Sequence, residues 1–132
     1  MLQRLRRLNN SRHVNRFYAA VSVLAGHGRI KQRLVKAYEE NLAVIEDEDL
    51  PIAVKQSFAD LKHMMNRVDP VKREGRIRAS VRKMSVEEAD ECAHKIIDLY
   101  RDMIRHSDNP QEPLPLQFGD QPAIRPFLVK SG

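Results

Sequence analysis

Residues 85–106 read SVEEADECAHKIIDLYRDMIRH. Ser85 and Glu88 stand in the S-x-x-E relation of a capping box, in which each side chain satisfies a backbone N–H that a helix start leaves unpaired. Ala89, Ala93, Ile96, Tyr100 and Met103 then recur at three- and four-residue spacing, with Cys92, Ile97, Leu99 and Ile104 widening the line. That period is helical, not the alternation of a strand. Arg105 and His106 close the segment with the positive charge that a helix C-terminus favours.

The segment upstream, residues 72–83, reads KREGRIRASVRK. Ile77, Val81 and Met84 fit a helix, while Ile77, Ala79 and Val81 fit a strand with Arg76, Arg78, Ser80 and Arg82 on its other face. A lone strand is unstable and nothing else in the chain alternates, so helix is the preferred reading. Further upstream, Val54, Phe58, Leu61, Met65 and Val68 follow four-three spacing between Pro51, which fits a first helical turn, and Asp69-Pro70, which stops it. Residues 29–45 carry a stripe of Ile30, Leu34, Ala37, Tyr38, Leu42 and Ile45. Residues 11–25 carry Val14, Phe17, Tyr18, Val21 and Leu24, with Ser11 as the expected cap and Gly26-His27-Gly28 as the C-terminal turn. The expected fold is therefore all-α: a small antiparallel bundle of about four main helices over residues 11–106, within a domain of residues 1–106.

From residue 107 the composition changes. Pro110, Pro113, Pro115, Pro122 and Pro126 exclude a long helix, so residues 107–132 read as an extended tail. The tail keeps Leu114, Leu116, Phe118, Ile124, Phe127, Leu128 and Val129. Seven large apolar side chains suit a tail packed on the bundle, or a short linear segment that binds a partner, better than a pure linker.

The chain has 132 residues, 42% hydrophobic and 31% charged, which fits one globular domain. Cys92 is the only cysteine, so no internal disulfide forms and a reducing compartment is favoured. Arg4, Arg6 and Arg7 resemble the start of a signal peptide, but the apolar stretch over residues 17–25 is broken by Ser22, lacks a clear cleavage site and is too short to span a bilayer. A cytoplasmic protein is expected. Leu2, Leu5 and Leu8 among these arginines could rest a short helix on an anionic membrane surface. A basic turn packing its leucines on the core is the simpler reading.

The charges fall in blocks. Residues 1–36 hold nine Lys/Arg and no acid; residues 37–71 hold three basic and eight acidic; residues 72–83 hold six and one; residues 84–132 hold five and nine. These sum to a net charge of +5. Such a layout suits docking to a charged surface or head-to-tail self-association.

No motif names a reaction, and neither catalysis nor a cofactor is expected. Gly26 and Gly28 lack the remaining residues of a phosphate loop. Asp90, Cys92 and His94 do not face one point of a helix, and Glu91-x-x-His94 occurs once where a di-iron site needs two copies. The expected function is a non-enzymatic interaction or regulatory protein acting through helical faces and a basic patch of Lys72, Arg73, Arg76, Arg78, Arg82 and Lys83. Arg29, Lys31, Arg33 and Lys36 form a secondary basic surface. The alternative is a nucleic-acid-binding protein whose arginines in 72–83 contact phosphates.

Overall fold

The computed structural model describes residues 2–71 and 73–106, the first eight of these by backbone alone. It is all-helical over that span. Five α-helices follow in order: α1 (Leu2–Leu24), α2 (Ile30–Ala37), α3 (Ile52–Met65), α4 (Arg76–Lys83) and α5 (Val86–His106). A π-helical turn, Tyr38–Leu42, continues α2, and a single 3-10 turn, Asp47–Asp49, precedes α3. Helix α5 packs against α1, α2 and α3, while α4 lies across α2 and α3. No helix among the described residues is long and apolar enough to cross a membrane.

Helix α1 differs from expectation at both its start and its inward face. It is already running at Leu2, so Ser11 lies in mid-helix and caps nothing. Residues 2–24 contain no glycine or proline, and Leu, Arg and Gln are good helix formers. The buried line is His13, Phe17, Ala20 and Leu24, whereas Tyr18 is 57% exposed, its ring tilted against that of Tyr100 at 5.9 Å. The expectation of a core-packed or membrane-facing Leu2, Leu5 and Leu8 concerns side chains outside the described residues, and the tail at 107–132 lies outside them too.

The turn after α1 requires a glycine, but at Gly28 (φ +103°) rather than Gly26. Arg33 closes this corner. Its guanidinium donates to the carbonyl of Leu24, which the end of α1 would otherwise leave open, and to that of Gly28 in the turn.

Along α2 the expected stripe is buried at Leu34, Ala37, Tyr38, Leu42 and Ile45. The ladder widens where Ala43 N–H reaches back to Tyr38 at 2.9 Å, and Asn41 donates its side-chain amide to the Ala37 carbonyl at 3.2 Å. The wider turn brings both Tyr38 and Leu42 inward. Burial pushes the Tyr38 phenol up to about 12.

Helix α3 buries Val54, Phe58, Leu61 and Met65, and Phe58 meets Phe17 edge-on at 6.0 Å. It ends at Met65, three residues short of the expected Val68. Helix α5 starts with the expected capping box: Ser85 N–H donates to Glu88 Oε1 at 2.9 Å and Glu88 N–H to Ser85 Oγ at 3.0 Å. Its inward line is Ala89, Cys92, Ala93, Ile96, Leu99 and Met103.

Candidate functional site

Helix α4 is the arginine-rich segment, and helical period sorts its residues. Ala79, Ser80 and Val81 turn inward, with Met84 buried just beyond. Ser80, which the strand reading had placed on the arginine face, is fully buried and accepts the Val68 N–H at 2.9 Å. The bond ties α4 to the chain leaving α3.

The exposed arginines are engaged. Arg76 reaches Asp69 at 2.8 Å and the Asn66 carbonyl at 3.4 Å. Arg82 grips Glu74 through two parallel bonds of 2.8 and 2.9 Å. Arg78 bonds Glu39 in the π turn at 3.3 Å. The hydrogen bond from Arg82, and then its charge, holds the Glu74 carboxyl below the usual carboxylate range and raises Arg82 in turn. Exposed pairs of this kind add little stability. Their consequence is electrostatic: three cations of the basic segment sit beside their own counter-charges.

The structure joins parts of the two basic surfaces in one place. Lys31 and Lys36 of α2 face Arg78 and Arg82 of α4 across an open groove of about 610 Å³. Lys31 Nζ donates to the Arg82 carbonyl at 3.3 Å, bridging the groove at the end of α4. Glu39, Glu40 and Glu74 line the same groove, so four cations share it with three carboxylates. Lys36 and Glu40 have no ion-pair partner among the described residues.

The other expected residues lie elsewhere. Arg76 turns to Asp69, and Arg33 caps α1. Arg29 opens α2, where its backbone N–H bonds Gln32 Oε1 at 3.3 Å. Arg73 and Lys83 are exposed outside the groove. Lys72 lies outside the described residues. Sequence reading missed Glu39, Glu40 and Glu74 as groove members. Glu74 had a visible signal, being the single acid inside the basic run, but a turn rather than a helical spacing connects it to Arg82.

The suspected ligand cluster on α5 divides between inside and outside. Cys92 is buried with its Sγ 3.9 Å from Met64 Sδ, and burial pushes its thiol up to about 11. Asp90 and His94 are exposed; the His94 ring lies 2.9 Å from the Asp90 carbonyl and 3.6 Å from its carboxylate. Those contacts, the carbonyl first, raise the His94 pKa. No group of three or more His, Cys, Asp or Glu among the described residues could hold a metal ion.

One further polar group lies in the core. His13 is 5% exposed, with Asp49 at 3.8 Å and Arg16 at 3.5 Å, and its Nε2 makes no hydrogen bond. Burial, and then the Arg16 charge, lowers its pKa against the opposing pull of Asp49. Compared with known proteins, the chain matches no family model, no curated protein and no solved structure.

Proposed function

We propose that this is a non-enzymatic interaction or regulatory protein that holds a charged segment of a protein partner in the groove between α2 and α4. The observation that carries this reading is the mixed lining, with Lys31, Lys36, Arg78 and Arg82 set among Glu39, Glu40 and Glu74. A duplex presents one negative charge about every 1.7 Å of its axis. Laid in this groove, such a continuous polyanion meets three carboxylates and must compete with ion pairs already made. A protein segment with acids spaced along it can address Lys36 and exchange with individual pairs. Exposed ion pairs are weak enough to exchange. The lone buried thiol of Cys92 fits a cytoplasmic setting.

Nucleic-acid binding is the second reading. Arg29, Lys36, Arg73 and Lys83 have no ion-pair partner among the described residues, and they would supply its phosphate contacts. Self-association through the charge blocks is a special case of the first reading, with a second copy as the partner.

The test is capture from nuclease-treated extract by the full chain and by a Lys36→Glu/Arg78→Glu variant. The expected result is a protein retained by the wild type after nuclease treatment and lost by the variant. Capture that disappears with nuclease, or that the two substitutions leave unchanged, contradicts the proposal.

A further inference from the structure

The outer shoulder of α5 carries a second line that borders the core at Ala93 and Tyr100 and leaves it at Val86 and Ile97. Val86, Asp90, Ala93, Ile97 and Tyr100 follow each other at four-three spacing, the period of a helix seam that seeks a partner. Val86 is 60% exposed and Ile97 43% exposed. At one end Tyr100 meets the exposed Tyr18 of α1 ring to ring at a tilt of 51°. At the other, Val86 and Ile97 join Leu24, Ile30 and Ala93 around a groove of about 480 Å³ between α5 and the α1–α2 corner. The remaining large exposed apolar residues on α3 and the loops, Val44, Ile52 and Val71, are not part of this line.

We propose that the chain's own segment 114–129 covers this shoulder, running antiparallel to α5 from Tyr100 back to Val86. Three features identify the occupant. The first is supply: Leu114, Leu116, Phe118, Ile124, Phe127 and Leu128 match an apolar strip with apolar side chains. The second is reach. At 1.5 Å per helical residue, Tyr100 lies about 9 Å back from the end of α5, and Val86 about 21 Å beyond it. An extended proline-containing chain advances about 3.1 Å per residue, so residues 107–113 reach Tyr100 and residues 114–129 outspan the strip.

The third is charge. The last turn of α5 is basic, with Arg105 and His106, while Arg101 is paired with Asp98 and Asp102; the first turns are acidic, with Glu87, Asp90 and Glu91. In the tail Asp108 and Glu112 come first and Arg125 and Lys130 last, with Asp120 between them. The antiparallel course leaves Asp108 and Glu112 beside the basic last turn of α5 and carries Arg125 and Lys130 toward its acidic start. The seven residues before Leu114 also let the chain reverse direction after His106 without strain on α5. Covering the strip removes apolar side chains from water, and large exposed apolar patches are unusual unless something binds them.

The test uses the full chain with Ile97 replaced by the photo-crosslinking residue p-benzoylphenylalanine, irradiated as a mixture of light and isotopically heavy protein. The expected products are cross-links within one copy to peptides from 114–129. Cross-links only between light and heavy copies would make a second copy the occupant, and cross-links only to other bundle segments would leave the shoulder uncovered. Either outcome overturns the proposal. A second measurement requires no artificial residue. Phe118→Ser/Phe127→Ser in the full chain, with helix content checked by circular dichroism, is expected to raise hydrophobic-dye fluorescence several-fold by uncovering the shoulder. If the tail does not lie there, removing two exposed phenylalanines leaves dye fluorescence unchanged or lowers it, which also overturns the proposal.

Discussion

Helices α4 and α5 carry their exposed side chains to different ends. On α4, arginines at 76, 78 and 82 bend back to Asp69, Glu39 and Glu74, so its polar face is closed onto the fold. On α5, Val86 and Ile97 stay exposed although the opposite face of the same helix is fully packed. The segment that looks most functional by composition therefore spends three of its charges internally. The segment that looks most structural leaves surface for a second layer. Local charge density is a poor measure of available charge, because turns bring acids from outside the helix within a few ångströms of it.

The contrast within α5 gives the largest expected effect. Leu99 is 1% exposed and Ile97 43% exposed. Leu99→Ala is expected to destabilise by about 2–5 kcal/mol, through lost transfer energy and a cavity. Ile97→Asp leaves the inner packing untouched and is expected to lower the denaturation midpoint far less. Urea unfolding of both variants checks this, and equal losses would break the division of α5 into two faces.

The anchor of α4 comes next. Ser80→Ala leaves the Val68 N–H without its acceptor and is expected to cost about 1–3 kcal/mol by denaturant unfolding. The cap of α5 follows, with Ser85→Ala expected to cost about 1 kcal/mol. If Ser80→Ala is neutral, α4 is held by its apolar residues alone.

These two serines also show what the sequence revealed and what it concealed. Ser85 was legible because its bonding partner, Glu88, lies three residues away at a fixed helical distance. Ser80 was not, because Val68 reaches it across a loop, and a hydroxyl amid arginines reads as surface. The inward stripes of α2, α3 and α5 were legible through periodicity, except that Ile97 and Ile104, read as widening the α5 line, are exposed. In α1 periodicity found Phe17 and Leu24, with Val14 and Val21 packed at the edge of the core, but it placed the exposed Tyr18 inward and could not nominate the buried His13. The groove is a tertiary meeting of α2 and α4, whose facing lysine and arginine positions, 31 and 82, are far apart in sequence. Its basic members were readable separately, and its carboxylates only with the fold in hand.

His13 gives an effect on pH dependence. Its folded pKa is lowered, so the unfolded chain binds the proton more readily and stability falls as pH drops below the ordinary histidine value of about 6.5. Arg16 and Arg12 reinforce this and Asp49 opposes it. His94, with a raised pKa, runs the other way: its contribution is present below the unfolded value and lost as pH rises through the folded one. Glu88, held low first by its backbone bond to Ser85 and then by Arg67, loses its contribution only at more acidic pH. The check is unfolding free energy against pH for wild type and His13→Gln, in which His94 and Glu88 act alike. The difference between the two curves is expected to shrink steadily as pH falls below about 6.5. A difference that is constant with pH would mean that His13 is not held neutral.

The smallest expected effect on stability belongs to the arginines. Arg76→Ala, Arg78→Ala and Arg82→Ala each remove an exposed pair and are expected to move the denaturation midpoint only slightly. They bear instead on the central claim, that the charges of α4 are internally neutralised and the groove takes a protein segment. That claim is tested most directly by the affinity of the full chain for labelled single- and double-stranded oligonucleotides, at low and at physiological salt. Weak binding at low salt that vanishes at physiological salt, and is the same for the triple alanine variant, is what the account predicts. Tight binding that falls by an order of magnitude or more with salt, as several phosphate contacts require, would contradict it, whether or not the triple variant abolishes that binding.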